Sequence, residues 1–237
     1  MTNTKLLDIC QRERIWLLIP AYNVSKHIEE LLGKTKNFIP PEQTILINDG
    51  STDETARIAR QFPVQIIEHK INLGKGVALK TGIDCILREN GQWIITMDGD
   101  LQHEPSCLAD FILEAERNKA DIVIGARRRN QEMPWDRRFS NGFTSLFISL
   151  MTGRKIKDVQ SGYRLIRVEM LAGLEFRSRK YDFEAELLLK CIRKGARIGH
   201  VEIPTRYSSE SSSINRSRDT LRFMAVILKY MMRSDGF

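Results

Sequence analysis

The sequence predicts an α/β fold, a mostly parallel central sheet with flanking helices, from three observations. Short β-branched runs alternate with longer amphipathic ones through the first half of the chain, as strands and helices do when they take turns. Polar and Gly-rich segments (Pro20 to Asn23, Asn48 to Ser51, Asn72 to Gly76, Asp98 to Gln102) follow the strand runs, where sheets of this class bind ligands. No repeat and no Pro/Gly linker divides the 237 residues, a length at which one domain buries a substantial core.

The elements follow in order. Ile15 to Ile19 reads as the first strand and Ser25 to Lys36 as the first helix. Thr44 to Ile47 is a second β-branched run, and the Asn48-Asp49-Gly50 turn leads to a helix over Asp53 to Gln61. Val64 to Glu68 reads as strand, Lys75 to Glu89 as helix after the Asn72 to Gly74 turn, and Trp93 to Met97 as strand. Pro105 to Asn118 is a helix and Asp121 to Ile124 a strand. After Gly125 the pattern loosens into an Arg-rich loop, Arg127 to Arg138, then a helix over Ser140 to Met151 and a strand around Tyr163 to Ile166. A helix over Phe183 to Lys194 and a strand near Ile198 to Ile203 complete the domain. A Ser-rich loop, Ser208 to Ser217, and a terminal helix, Thr220 to Met232, close the chain. The expected organisation is an N-terminal extension over 1–14, one domain over 15–219 and an amphipathic C-terminal helix over 220–237.

With 42% hydrophobic and 28% charged residues, the composition excludes disorder and collagen-like repeats. Four cysteines, Cys10, Cys85, Cys107 and Cys191, show no CxxC spacing, which fits reduced cytosolic thiols better than a zinc knuckle or a disulfide framework. The polar start, Met1 to Arg14, does not resemble a signal peptide, and no run reaches the roughly 18 apolar residues of a spanning helix. The net charge of +7 is unevenly placed. Residues 1–125 carry 14 Lys+Arg and 18 Asp+Glu, net −4, and residues 126–237 carry 23 and 12, net +11. The chain has an acidic half and a basic half, and anions such as phosphates, nucleic acid or membrane lipid suit the latter.

Asp98-Gly99-Asp100 puts two carboxylates just past a buried strand, with Gln102 close behind. Such oxygens suit Mg²⁺ or Mn²⁺ held between protein and phosphate; a solvated acidic turn before the next helix is the alternative. Asp49 ends another strand, where it either forms part of an Asn/Asp-Gly turn or hydrogen-bonds a nucleobase or sugar edge. Asn72-Leu73-Gly74-Lys75-Gly76 lacks the Walker spacing, so it reads as a close turn, with Lys75 a candidate to face an anionic ligand.

Taken together, Ile19-Pro20-Ala21-Tyr22-Asn23, Asn48 to Asp53, Asn72 to Gly82 and Asp98-Gly99-Asp100-Leu101-Gln102-His103 resemble, in order and spacing, the inverting family 2 glycosyltransferases. The last block is similar to that of polyprenyl-phosphate glycosyltransferases of the dolichol-phosphate mannose synthase type. The resemblance covers roughly residues 15 to 220. Gly125-Ala126-Arg127, Arg137-Arg138 with Ser140, Asp158 to Arg164, Tyr181-Asp182-Phe183-Glu184, and Ile203 to Tyr207 leading into Ser211 to Ser213 resemble the family's acceptor-side blocks. Val24 stands where the family often has Glu, and the loop after Arg206 lacks the family's Gly-x-Ser-Lys. Both departures bear on donor choice more than on the reaction.

The resemblance implies a GT-A, Rossmann-like fold and a nucleotide-diphosphate sugar donor of GDP-mannose or UDP-glucose type. Pro20, Ala21, Tyr22, Asn23, Asp49, Lys75, Asp98, Gly99, Asp100 and Arg206 become the expected donor-binding residues. Asp98, Asp100 and Gln102 become the expected ligands of Mg²⁺ or Mn²⁺, and Arg206 the residue that closes a loop onto the diphosphate. Arg127, Arg137, Arg138 and Ser140 offer donor geometry suited to a phosphate acceptor, which the resemblance implies is a polyprenyl phosphate. Asp100, Arg127, Arg206 and Asp158 are the expected catalytic residues. If the acceptor is instead a glycan, lipid or small-molecule hydroxyl, a carboxylate base is needed, and Asp158 or Glu184 is the candidate; otherwise Asp158 pairs with a neighbouring cation. Leu221 to Met232, apolar but for Arg222 and Lys229, suggests contact with a membrane surface or a small membrane-protein partner, and hence a cytoplasmic, membrane-peripheral enzyme. A nucleic-acid module is disfavoured because the basic residues are not interleaved with aromatics and no DNA- or RNA-binding signature appears.

Overall fold

A computed structural model describes residues 2–127, 135–180 and 182–204, with the side chains of residues 135–141 outside the description. The expected Ser-rich loop and C-terminal helix lie outside the described residues.

Seven strands form one sheet: β1 (Ile15–Ala21), β2 (Thr44–Asn48), β3 (Gln65–Glu68), β4 (Trp93–Thr96), β5 (Ile122–Arg127), β6 (Arg164–Arg167) and β7 (Ile198–Ile203), in the order β3-β2-β1-β4-β6-β5-β7. Adjacent pairs run parallel except that β6 is antiparallel to both β4 and β5. The mostly parallel sheet is thus observed. Among the described residues seven helices accompany it: α1 (Asn3–Arg12), α2 (Ser25–Thr35), α3 (Thr55–Ala59), α4 (Lys75–Arg88), α5 (Leu108–Asn118), α6 (Trp135–Thr152) and α7 (Phe183–Arg193).

Strand residues alternate between two cores. Leu17 and Ile19 of β1, Ile95 of β4 and Val123 of β5 point into one, with Leu6, Leu31 and Phe111 from α1, α2 and α5. Trp16 and Leu18, Ile94, and Ile122 and Ile124 point into the other, with Leu79, Leu188 and Ile148 from α4, α7 and α6. A sheet covered on both faces has strands that read as unbroken apolar runs, and for that reason the β1, β4 and β5 sequences were legible.

Three differences from the sequence reading have local causes. Residues 1–14, expected as an extension, contain α1, which buries Leu6 and Cys10 against the β1 side of the sheet. Thr2 caps it by accepting the Lys5 amide. Pro105 opens a 3-10 turn, Pro105–Cys107, so α5 starts at Leu108. The Arg-rich loop is shorter than expected, since α6 begins at Trp135. Among the described residues no helix is long and apolar enough to cross a membrane.

Candidate active site

The order β3-β2-β1-β4 reverses direction at β1, and the crevice beyond the carboxyl ends of β1 and β4 is where such sheets take ligands. The loops after β1 and β2 are stitched together there. Asn23 and Val24 amides donate to Ser51 Oγ (3.0 Å) and Thr55 Oγ1 (2.9 Å), the Ser25 amide donates to Asp53 Oδ2 (3.0 Å), and the Thr52 amide donates to Asn23 Oδ1 (2.9 Å). Burial would raise the Asp53 carboxyl, but hydrogen bonds from Thr55 and Ser25 outweigh it and bring its pKa down to about 2. Along this wall Ala21 is buried and Tyr22 is exposed. Gly99 packs against it, since a Cβ there would meet Val24 Cγ2 at 3.2 Å and the Pro20 carbonyl at 3.4 Å. The chain thus brings Pro20, Ala21, Val24 and Gly99 together.

Asp49 is buried and its carboxylate faces the protein. Oδ1 accepts the Leu73 amide (3.0 Å) and lies 2.7 Å from His69 Nδ1, while Oδ2 accepts the Gly74 amide (2.8 Å). His69 Nε2 in turn lies 3.1 Å from Thr81 Oγ1 on α4. In this arrangement Asp49, expected against a base, moors the 72–75 turn. Gly74 makes the turn with φ +99°, and Gly76 lets α4 approach the 179–183 segment, where a Cβ would meet Arg179 C at 2.7 Å and Phe183 Cβ at 2.8 Å.

That approach delivers Lys75 to two carboxylates. Its Nζ lies 2.6 Å from Asp98 Oδ1 and 2.7 Å from Glu184 Oε1. Burial works against the ammonium, yet Asp98 and Glu184 together push the Lys75 pKa well up. Asp98 shows the mirror image: burial raises it, but Lys75, and then His103 and Arg127, hold it below the usual carboxylate range. Asp100 differs. Burial and the charge on Asp98 both push it up, although its Oδ1 accepts the Gln102 amide at 3.1 Å. Lys75, expected to face an anionic ligand, is placed against protein carboxylates in this structure.

The end of β5 and the 158–164 segment stand beside these groups. Arg127, at the end of β5, donates from Nε to Asp158 Oδ2 (2.7 Å) and from Nη2 to Asp158 Oδ1 (3.0 Å). Asp158 is buried and also accepts the Gln160 amide at 3.2 Å. The pairing alternative for Asp158 is therefore the one observed. Gly162 packs against Asp98, where a Cβ would meet Oδ2 at 2.6 Å, and its carbonyl accepts Thr96 Oγ1 at 2.7 Å. Arg164, fully buried, donates to the carbonyls of Ser161, Glu184 and Val159 (2.9, 2.6 and 2.5 Å), tying this loop to the start of α7. His103 stacks on Tyr163 with centroids 5.3 Å apart, and burial drives its pKa down to about 4 although Asp98 acts in the opposite sense.

The sequence names Glu184 only as an alternative base, not as a partner of Lys75, and gives no sign that Gly162, His69 and His103 make these contacts. A polar residue buried beside a motif is the only signal a sequence offers for such partners, and here each partner comes from a distant segment. Arg137, Arg138 and Ser140 fall on α6, but their side chains lie outside the description. Arg206 and Tyr181 also lie outside the described residues.

Among the described residues no three His, Cys, Asp or Glu side chains converge as a self-sufficient metal cluster. Asp98 and Asp100 nevertheless fit a hard divalent cation. Mg²⁺-type sites commonly use one or two carboxylates and complete their shell with water and substrate phosphate, and a cation between these groups would relieve the repulsion that raises Asp100.

Known proteins agree with this architecture. The chain is 29% identical over 206 residues to undecaprenyl-phosphate mannosyltransferase of Micrococcus luteus, covering 82% of this chain and 83% of the relative. It is 28% identical over 220 residues to UDP-N-acetylglucosamine-dolichyl-phosphate N-acetylglucosaminyltransferase of Methanococcus voltae, covering 83% and 87%. The structure of glucosyl-3-phosphoglycerate synthase from Mycobacterium tuberculosis, in complex with Mn²⁺, UDP-glucose and phosphoglyceric acid, matches with a TM-score of 0.79 at 17% identity, covering 100% of this chain and 86% of that one. At that identity the likeness speaks for the fold, which is GT-A. The family model described as Glycosyl transferase family 2 matches residues 16–174, a span holding the β1 and β2 loops, Lys75, the Asp98–Asp100 pair and the Arg127–Asp158 pair, and the chain belongs to that family.

Proposed function

We propose that this glycosyltransferase moves a hexose, with inversion, from a nucleotide-diphosphate sugar of GDP-mannose or UDP-glucose type to a polyprenyl phosphate at the cytosolic membrane face. The observation that carries this reading is that the Lys75–Asp98 pair (2.6 Å) just past β4 and the Arg127–Asp158 pair (2.7 Å) at the end of β5 are joined by the 158–162 segment, whose Gly162 packs against Asp98. An acidic pair suited to a metal-bound diphosphate and an arginine suited to a phosphate acceptor share one crevice. The names of the Micrococcus luteus and Methanococcus voltae relatives, both transferases to polyprenyl-type phosphates, support the acceptor class.

The β1 and β2 loops would hold the nucleoside, with Pro20 and Tyr22 against the base. Asp98, Asp100 and Gln102 would hold Mg²⁺ or Mn²⁺, which when bound supplies charge stabilisation to the departing nucleotide. Arg206, with Arg137, Arg138 and Ser140, completes the proposed diphosphate and acceptor contacts. A phosphate acceptor is largely ionised at neutral pH, its second pKa being about 6, so it attacks the anomeric carbon without a strong base. The engagement of both Asp158 oxygens by Arg127 favours this over a hydroxyl acceptor, for which Asp158 would have to leave that pair to accept a proton.

The test uses purified full-length protein, Mn²⁺ and a panel of UDP- and GDP-sugars with undecaprenyl phosphate. A lipid-linked hexose formed from one donor is the expected product. Glycosylation of a soluble hydroxyl with no transfer to the lipid would overturn the acceptor assignment. Asp158→Asn separates the two chemistries: with a phosphate acceptor it raises the acceptor KM by loosening Arg127, whereas loss of a base abolishes kcat.

A further inference from the structure

Helix α6 packs Ile148, with Phe147 and Met151 beside it, on the core and yet keeps large apolar residues on its outer side. Its inward residues are Thr144, Ser145 and Ile148, all at most 1% exposed, while Leu146 and Leu150 are 59% and 74% exposed and Phe143 is 48% exposed. At about 100° per residue, Phe143, Leu146 and Leu150 form one stripe, and Thr144, Ser145 and Ile148 occupy the opposite side. The stripe meets the core through Phe147, which is partly buried against it and stacks on Phe143 with centroids 6.4 Å apart, and from there it extends outward over Leu146 and Leu150.

Immediately after the helix, Arg154, Lys155 and Lys157 are exposed. From Phe143 through Lys157 the chain contains no Asp or Glu. An apolar stripe bordered by bases, with no acid among them, has the composition of a helix that lies in a lipid interface, its large apolar side chains in the acyl boundary and its cations at the headgroups. A second copy of the chain would bury the leucines but would bring no acid from the same segment to meet the bases.

The helix is also moored to the site. Ser145 Oγ accepts the Val159 amide (3.2 Å) and Ser149 Oγ accepts the Ile156 amide (2.8 Å), and Val159 adjoins the Asp158 that holds Arg127. We propose that the outer face of α6, with the Arg154 to Lys157 turn, seats this enzyme on an anionic bilayer. The inference rests on the acceptor reading above and deepens it by assigning the face through which a lipid-borne phosphate would be met.

The experiment is flotation of the full-length protein with vesicles of phosphatidylcholine alone or mixed with phosphatidylglycerol. Wild type binds the anionic vesicles, and binding weakens at high salt as the screening length shrinks from about 10 Å at 0.1 M to about 3 Å at 1 M. Leu146→Ser with Leu150→Ser, and separately Arg154→Glu with Lys155→Glu, each lower partitioning at least about tenfold. Leu113→Ser, on an exposed leucine of α5, leaves it unchanged. The basic-turn pair keeps the test decisive if the leucine pair perturbs folding, which thermal unfolding would show. Wild-type partitioning in both pairs overturns the proposal. So does a leucine pair that converts a dimer to a monomer while vesicle binding persists. Transfer to polyprenyl phosphate in detergent micelles, where no bilayer is needed, reads the acceptor assignment separately: its failure with vesicle binding intact overturns that assignment alone.

Discussion

Lys75 and Asp98 form a half-buried ion pair, with Nζ 2.6 Å from Oδ1, and Glu184 receives the same ammonium at 2.7 Å. One cation therefore offsets two carboxylates, one of which belongs to the acidic pair proposed to hold the metal.

Removing that cation should expose the conflict. Lys75→Met leaves Asp98 and Glu184 facing each other without compensation, and for groups 19–27% exposed solvent screening holds the cost below the roughly 3–5 kcal/mol of a fully buried pair. Metal-free Lys75→Met should melt well below wild type, and Mn²⁺ should raise its Tm by more than it raises that of wild type. Thermal shift with and without Mn²⁺ checks both; an equal shift in the two proteins would show that Lys75 and the metal do not compete for Asp98.

Gly162→Ala tests the other boundary of Asp98. The new Cβ would stand 2.6–2.9 Å from the carboxylate atoms, so the carboxylate must turn away. The expected outcome is a modest loss of stability, about 1–3 kcal/mol, with at least a hundredfold loss of kcat. Activity close to wild type would mean that the position of Asp98 has slack.

Asp49→Asn distinguishes a moored turn from a base contact. The amide group can no longer accept with both oxygens, so a part-buried backbone N–H at Leu73 or Gly74 loses its partner, at about 1 kcal/mol. If Asp49 acts through the turn, affinities for UDP and GDP fall together, as isothermal titration would show. Selective loss of one nucleotide would instead assign Asp49 to the base.

The pH dependence of stability has a definite sign. Burial brings His103 from 6.5 to about 4, so the folded protein keeps it neutral while the unfolded chain takes up a proton. Its contribution is complete above pH 6.5 and is lost as pH falls through 4, roughly 3 kcal/mol in all. His200, likewise brought to about 4, mainly by burial and then Lys157, acts in the same direction; Asp100, raised in the fold, opposes them nearer pH 4. His103→Phe, which keeps a ring against Tyr163, should flatten Tm between pH 6.5 and 4 while leaving the His200 portion.

The sheet and most helices were legible because the sheet is covered on both faces, so its central strands β1, β4 and β5 are largely apolar runs, and most of its helices carry one apolar stripe. Helix α1 escaped notice because only Leu6 and Cys10 of its ten residues are buried, too few to mark a face in a polar segment. The metal-suited carboxylates were visible as a short spacing, and the Arg127–Asp158 pair as one of two alternatives. The Lys75–Glu184 contact and the mooring of Asp49 were not. Both depend on how close α4 comes to the segment before α7, which small residues at 74 and 76 permit but do not announce.

Strand β6 has a consequence for how such an enzyme can be rebuilt. Because it runs backwards between β4 and β5, the half of the chain after Gly125 is laced into the sheet of the first half and is not appended to it. A chimera joined after Gly125 would have to inherit a β6 that matches the β4 edge in register, Trp93 opposite Arg167 and Thr96 opposite Arg164, or leave that edge bare and prone to pair with another molecule. Exchange of the segment after Gly125 between relatives is therefore constrained first by the register of β6.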